Sequence, residues 1–260
     1  MYNGNMNILV SNDDGINSEA LHELVKSLSE IGDVYVVAPD SERSANSHHF
    51  TYKGRLRIEE KQLQGAKKAY SFWGTPCDCI HCGLQFIIKE KIDLVVSGIN
   101  KGWNVSSDMI YSGTIAAARE GFMNGIPSIA ISLDAFTGGD FSIPARFVSK
   151  IAKDFVDDPN NKNYFLNINV PNIKEEEIKG VKICDHNGFV KYDEGYYMEN
   201  EFGVDYVVMG DVNCEIIGDP EDMRIDINAI KAGYIAISPL YTDEINHEYV
   251  DNLKQLFKNE

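Results

Sequence analysis

Ile8-Leu9-Val10-Ser11-Asn12-Asp13-Asp14-Gly15 decides how this chain is read: a short apolar run halts at two adjacent carboxylates and a glycine. An apolar run without alternation is the pattern of a strand buried on both faces, as in a parallel sheet. Ligands of open α/β sheets sit beyond the carboxyl ends of such strands, which is where Asp13 and Asp14 fall. Two ionised carboxylates side by side repel each other, and a bound hard cation relieves that repulsion. Asp-Gly alone is also an ordinary turn signal, so the octet has to be weighed together with the runs downstream of it.

Two more runs repeat the pattern. Val34-Tyr35-Val36-Val37-Ala38-Pro39 leads into Asp40-Ser41-Glu42-Arg43-Ser44-Ala45-Asn46-Ser47-His48-His49, and Leu94-Val95-Val96-Ser97 leads into Gly98-Ile99-Asn100-Lys101-Gly102-Trp103-Asn104. Between the first two, Leu21, Leu24, Val25 and Leu28 recur at i, i+3, i+4 and i+7, which predicts an amphipathic helix capped by Asn17 or Ser18. Helices are expected over 75–88, 114–123 and 145–156, and strands over 126–132 and 164–170. Alternating strands and helices make an α/β, Rossmann-like, doubly wound and mostly parallel sheet.

After Pro171 the pattern changes to short β-like runs at 181–185, 188–192 and 206–209, then a short helix at 226–231 and a strand at 233–238. Leu240, Tyr249, Val250, Leu253, Leu256 and Phe257 form an apolar series that predicts a terminal amphipathic helix. The whole chain, 1–260, reads as one domain, with an α/β core over 6–170 and a β-rich region over 171–260.

At 260 residues and 43% apolar composition the chain builds a sizeable core. A formal charge of -16 argues against a nucleic-acid polymer as partner, because such binding needs Lys and Arg along many phosphates. A single phosphate needs only a helix N-terminus, a cation and a few amides. No stretch approaches the length of a membrane span, and the first residues lack the basic and apolar regions of a signal peptide, so a cytoplasmic protein without membrane contact is expected. Cys77, Cys79 and Cys82 with His81 admit a zinc reading. Thr75-Pro76, however, reads as an N-cap and first-turn proline, and a helix there points Cys77 and Cys79 to different faces, which favours packing.

Tyr111-Ser112-Gly113-Thr114 opens a helix with a hydroxyl, free N–H groups and the positive end of the helix dipole; it is either a phosphate-binding turn or a plain N-cap. Asn12, Asn100 and Asn104 at strand ends offer neutral oxygens and N–H donors without adding charge, and are equally ordinary loop residues. His48 is either a surface residue or a donor to phosphate or leaving group.

SNDDG, APDSERSANSHHFT, WGTPCDC, VVSGINKGWN, DMIYSGTIAAAREG and GIPSIAISL, in this order, resemble the SurE family over roughly residues 6–240. The resemblance implies a divalent-metal-dependent nucleotidase acting on nucleoside 5′-monophosphates, with 3′-monophosphates and short polyphosphate as further candidate substrates. It implies one cation per subunit on Asp13, Asp14, Ser44 and Asn100, and this all-oxygen set suits Mg²⁺ or Mn²⁺ better than zinc. It makes the Ser112-Gly113-Thr114 turn the phosphate holder. Donor chemistry adds Asn104 beside it and puts Asn12 and His48 on the substrate side. The water is activated by Asp13 or Asp108 as general base or as a metal-bound hydroxide, with an aspartyl-phosphate at Asp13 as the other route. Asn46 and His49 depart from the family pattern and bear on substrate preference. The β-rich region is expected to join a homodimer or homotetramer. A haloacid-dehalogenase-type phosphatase would need Asp-x-Asp instead of adjacent acids, and a non-catalytic Rossmann-like nucleotide binder lacks its glycine-rich turn here.

Overall fold

The computed structural model describes residues 5–185, 188–193, 196–209 and 213–242, together with positions 250 and 254. Its strands are β1 (Met6–Ser11), β2 (Gly32–Pro39), β3 (Ile58–Lys61), β4 (Ala66–Phe72), β5 (Leu94–Lys101), β6 (Ser128–Leu133), β7 (Phe165–Val170), β8 (Val181–Ile183), β9 (Phe189–Asp193), β10 (Tyr196–Glu201), β11 (Val204–Met209), β12 (Asn213–Ile217) and β13 (Ile235–Leu240). Its helices are α1 (Glu19–Leu28), α2 (Pro76–Cys82), α3 (Gly113–Met123), α4 (Ser142–Asp157) and α5 (Asp226–Lys231).

The apolar runs of the central strands are covered on both faces. Ile8, Val10, Val34, Val36, Leu94 and Val96 pack with Leu21, Leu24 and Val25 of α1 and Val148 and Ala152 of α4. Their neighbours in sequence, Leu9, Tyr35, Val37 and Val95, point the other way, onto Cys79 and Ile80 of α2 and Ala117 of α3. Ser18 takes the N-cap position of α1 without a side-chain bond, whereas Thr75 caps α2 in a full capping box with Asp78.

The nine-stranded sheet runs β3-β4-β2-β1-β5-β6-β7-β13-β8. Strand β1 is parallel to β2 on one side and to β5 on the other. The chain therefore works outward from β1 in one direction and resumes from β5 in the opposite one, leaving a crevice where the two loops part.

Several elements depart from expectation. Strands β3, β4, β10 and β12 are additional to the predicted set. The helix expected over 75–88 stops at Cys82 and continues as a π-helical turn, Gly83–Ile87. Strand β13 lies antiparallel to β7, with Leu240 opposite Phe165, so Leu240 completes the sheet and is not part of the terminal apolar series. Tyr249, Leu253, Leu256 and Phe257 lie outside the described residues. Among the described residues no helix is long and apolar enough to cross a membrane.

Candidate active site

Immediately after β1 the chain turns sharply, and Asn12 makes the turn: its Nδ2 donates to the Gly15 carbonyl at 3.0 Å and its Oδ1 accepts from the Gly15 N–H at 3.2 Å. Gly15 has φ +94, and a Cβ there would lie 3.1 Å from the Ser41 backbone, so only glycine fits without strain. Asn12 is fully buried and shapes the loop that presents the two acids.

Asp13 is almost fully buried. Its Oδ1 accepts from the Thr114 hydroxyl at 2.6 Å, and the Thr114 N–H donates to the same carboxylate. Gly113 lets the start of α3 come this close, since a Cβ there would stand 3.0 Å from that of Asp13. Burial pushes the Asp13 carboxyl above its ordinary range despite those two bonds. Asp14 is pushed up to about 6, first by burial and then by the Asp13 charge, with the Lys101 charge and N–H pulling the other way. Its Oδ2 is buried without a hydrogen-bond partner, a costly arrangement for a carboxylate left to itself.

A cavity of about 680 Å³ opens over this pair, within the range of small-molecule sites. Of the predicted residues, Asp13, Asp14, Ser44, Asn100, Asn104, Asp108 and Ser112 line it. Asn100 sits where β5 breaks register with β6, between Ser97 and Asn100. Gly98, just before, allows the Ile131 carbonyl to approach, as a Cβ would be 2.4 Å from it. Asn100 Nδ2 donates to the Gly102 carbonyl at 2.8 Å, which leaves its amide oxygen for another group. Ser44 Oγ donates to Glu42 Oε1 at 2.8 Å and keeps its lone pairs. Asn104 is clamped from β6 and β7: its Nδ2 donates to Ser132 Oγ at 2.9 Å, its N–H to Asn169 Oδ1 at 2.8 Å, and its carbonyl accepts from Asn167 and Asn169.

Asn12, His48, Gly113 and Thr114 stand behind the cavity wall. Thr114 gives both its donors to Asp13. Ser112 caps α3, its Oγ accepting from the Ile115 N–H at 3.1 Å. His48 Nε2 lies 3.2 Å from Glu120 Oε2, and His81 Nδ1 lies 3.0 Å from Glu120 Oε1. One carboxylate on α3 thereby ties down the loop that carries Ser44. Among the described residues no three His, Cys, Asp or Glu gather as a metal cluster; Cys79 packs in the core beside Leu9 and Ile80.

Residues that the sequence does not mark as site residues also line the cavity: Glu42, Lys101, Trp103, Tyr111 and Phe136. Lys101, Trp103 and Tyr111 adjoin the predicted positions, and Phe136 lies in the loop after β6. Asp226 carries no local signal. It is buried at the start of α5, and it accepts from the Ser106 N–H at 2.8 Å and the Ser106 hydroxyl at 2.7 Å. Burial raises its pKa against these bonds. Ser106 has φ +50, a left-handed conformation held by that pair of bonds, and it begins the 3-10 turn Ser106–Ile110 that bears Asp108.

Two carboxylates, one with a bare buried oxygen, beside neutral Ser and Asn oxygens and with neither sulfur nor imidazole, make a donor set for a hard cation.

Residues 8–192 match the family described as Survival protein SurE. The chain is 37% identical over 257 residues to the 5′-nucleotidase SurE of Clostridium botulinum (strain Alaska E43 / Type E3), covering 97% of this chain and 100% of the relative. It is 39% identical over 252 residues to the 5′-nucleotidase SurE of Petrotoga mobilis, covering 96% and 98%. The crystal structure of the SurE protein from Aquifex aeolicus superposes with a TM-score of 0.81 at 32% identity, covering 96% of this chain and 99% of that one.

Proposed function

The chain belongs to the SurE family, and from that premise we propose that it is a 5′-nucleotidase: a divalent-metal-dependent phosphomonoesterase that converts nucleoside monophosphates to nucleoside and phosphate. The observation that carries this reading is the Asp13-Asp14 pair at the end of β1, facing a cavity beside the start of α3. Asp13, Asp14, Ser44 and Asn100 are the residues that would hold one cation per subunit, Mg²⁺ or Mn²⁺. Such a cation, when bound, neutralises the two carboxylates and polarises the phosphoryl group.

The chain's own groups supply the rest. Thr114 keeps Asp13 in place and Asn12 shapes the turn. Asn104 Nδ2 and the Ser112 hydroxyl, beside the positive end of α3, donate to phosphoryl oxygens and stabilise the charge that develops on them. Asp108 takes the proton of the attacking water as its oxygen bonds to phosphorus, the P–O ester bond breaks, and the ester oxygen picks up a proton from solvent water to leave as the nucleoside hydroxyl. Clamping Asn104 from two strands costs no reorganisation during the reaction.

The 3′-monophosphates and short polyphosphate are secondary substrates in this reading, since the same donors recognise any terminal phosphate. A cytoplasmic location, no membrane or nucleic-acid partner, and a homodimer or homotetramer joined through the β-rich region complete it. Exposed Tyr197, Phe202 and Val207 on the β10–β11 hairpin support the last point. A phosphate-release screen over 5′- and 3′-nucleotides, sugar phosphates and tripolyphosphate, with Mg²⁺, Mn²⁺ or EDTA, tests the assignment. Nucleoside 5′-monophosphates with metal should be turned over fastest; equal release from all esters, or release insensitive to EDTA, would overturn it.

A further inference from the structure

We propose that Phe136, buttressed by Trp103 and joined by Tyr111, is the platform on which the cavity stacks the nucleobase of its substrate; this rests on the nucleotidase reading and names the part of the substrate that the acids do not touch. Large aromatic side chains scattered singly on a surface need no explanation. Here three of them converge on one cavity, the one that holds Asp13 and Asp14. Phe136 is 69% exposed and Tyr111 57%. Phe136 belongs to none of the four core clusters among the described residues, so its ring contributes little to folding.

The Phe136 ring is nevertheless held. Trp103 meets it edge to face, with centroids 6.2 Å apart and planes at 82°. Gly102 lies behind it: a Cβ at that position would stand 2.6 Å from Phe136 Cε1. Glycine at residue 102, with φ +96, thus lets the ring rest on bare backbone, and Trp103 limits its rotation. An exposed ring fixed from behind is preorganised to receive a flat partner.

The rest of the lining states what that partner is attached to. Asp13, Asp14, Ser44, Asn100, Asn104 and Ser112 suit a cation and a phosphate, and nothing in that set recognises an apolar ring. A sugar phosphate would leave the aromatic side wet. A nucleoside monophosphate fills both sides of about 680 Å³. Stacking tolerates any base because every base has a π-face, so this platform selects for the presence of a base, and for purines over pyrimidines through their larger overlap.

The test compares AMP with ribose 5-phosphate in the wild type, Phe136→Ala and Phe136→Tyr, and measures adenosine binding to each by calorimetry. Phe136→Ala should lower the AMP to ribose 5-phosphate ratio of kcat/KM about tenfold, mostly through KM, and weaken adenosine about tenfold. Phe136→Tyr, which keeps the ring, should restore both. An unchanged ratio in folded Phe136→Ala would overturn the proposal. Because adenosine binding needs no turnover, the calorimetric arm decides even if neither ester is hydrolysed: equal affinity in wild type and Phe136→Ala, or no binding by the wild type, rejects the platform whatever becomes of the nucleotidase assignment.

Discussion

Strand β1 and the β10–β11 hairpin are both rich in β-forming apolar residues, yet their environments are opposite. Every residue from Ile8 to Val10 is fully buried, clasped by α1 and α4 on one face and α2 and α3 on the other. Met198, Val204, Tyr206 and Val207 are exposed, and Phe202 at the tip is 98% exposed. Both form regular ladders. A strand in the middle of a doubly wound sheet has each side chain fixed by two packed layers, whereas a two-stranded sheet has faces that the rest of the chain leaves open. Precision at the cleft comes from the first condition; the second leaves apolar surface available for another chain.

The largest break in that comparison is chemical. Asp14→Asn keeps side-chain volume but removes one of the two charges; kcat for AMP at saturating Mn²⁺ should fall at least ~10³-fold while circular dichroism is unchanged. Asp14 also carries a pH signature in the metal-free protein. Its folded pKa, about 6, lies above the ordinary aspartate value of 3.8, so its contribution to stability is present below the lower value and lost as pH rises through the upper one. In EDTA, Asp14→Asn should therefore melt higher than wild type near neutral pH, with the gap closing as the pH approaches 4; a constant gap contradicts the burial argument.

Leu9→Ala removes side-chain volume from the middle of β1 and should cost about 2–5 kcal/mol of unfolding free energy. Val207→Ser, on the hairpin, should change the stability of the folded chain by less than about 0.5 kcal/mol. Comparable losses by urea denaturation at the two positions would erase the distinction drawn between the regions.

Asp226→Asn acts on the cleft from the chain after Pro171. The Ser106 donors lose a charged acceptor, and the 3-10 turn bearing Asp108 loosens from α5. The expected loss is about tenfold in kcat with KM little changed; a fall in thermal stability without a change in kcat would make Asp226 purely structural. Smaller still, Ser44→Ala and Asn100→Ala each remove one neutral oxygen. Their activity should drop several-fold at low Mn²⁺ and recover at high Mn²⁺; a deficit that added metal does not touch would move these residues to the phosphate.

The doubly wound sheet is legible in the sequence because Ile8, Val34 and Leu94 open runs that are apolar on both faces, interleaved with a helix whose Leu21, Leu24, Val25 and Leu28 are all buried. Strands β3 and β4 escape because Glu59, Glu60, Lys67 and Lys68 give them the look of solvated loops at a sheet edge. The direction of β13 cannot be read from Ile235–Leu240, since an apolar run fits either orientation. At the cleft, adjacent acids announce themselves at Asp13 and Asp14. The bonds from Thr114 to Asp13 and from Ser106 to Asp226 join residues 101 and 120 positions apart, and no local pattern encodes such a pairing. Phe136 is silent in the sequence because a lone aromatic after a strand resembles any surface residue until Trp103 and Gly102 are seen around it.

Calorimetric titration of metal-free protein with Mn²⁺, in the wild type, Asp14→Asn and Asp13→Asn, tests the central claim most directly. One site per chain in the wild type, at least tenfold weaker in each variant and accompanied by loss of AMP hydrolysis, is the predicted result. Undiminished Mn²⁺ affinity in both variants, or full AMP hydrolysis by the wild type in EDTA, would contradict it.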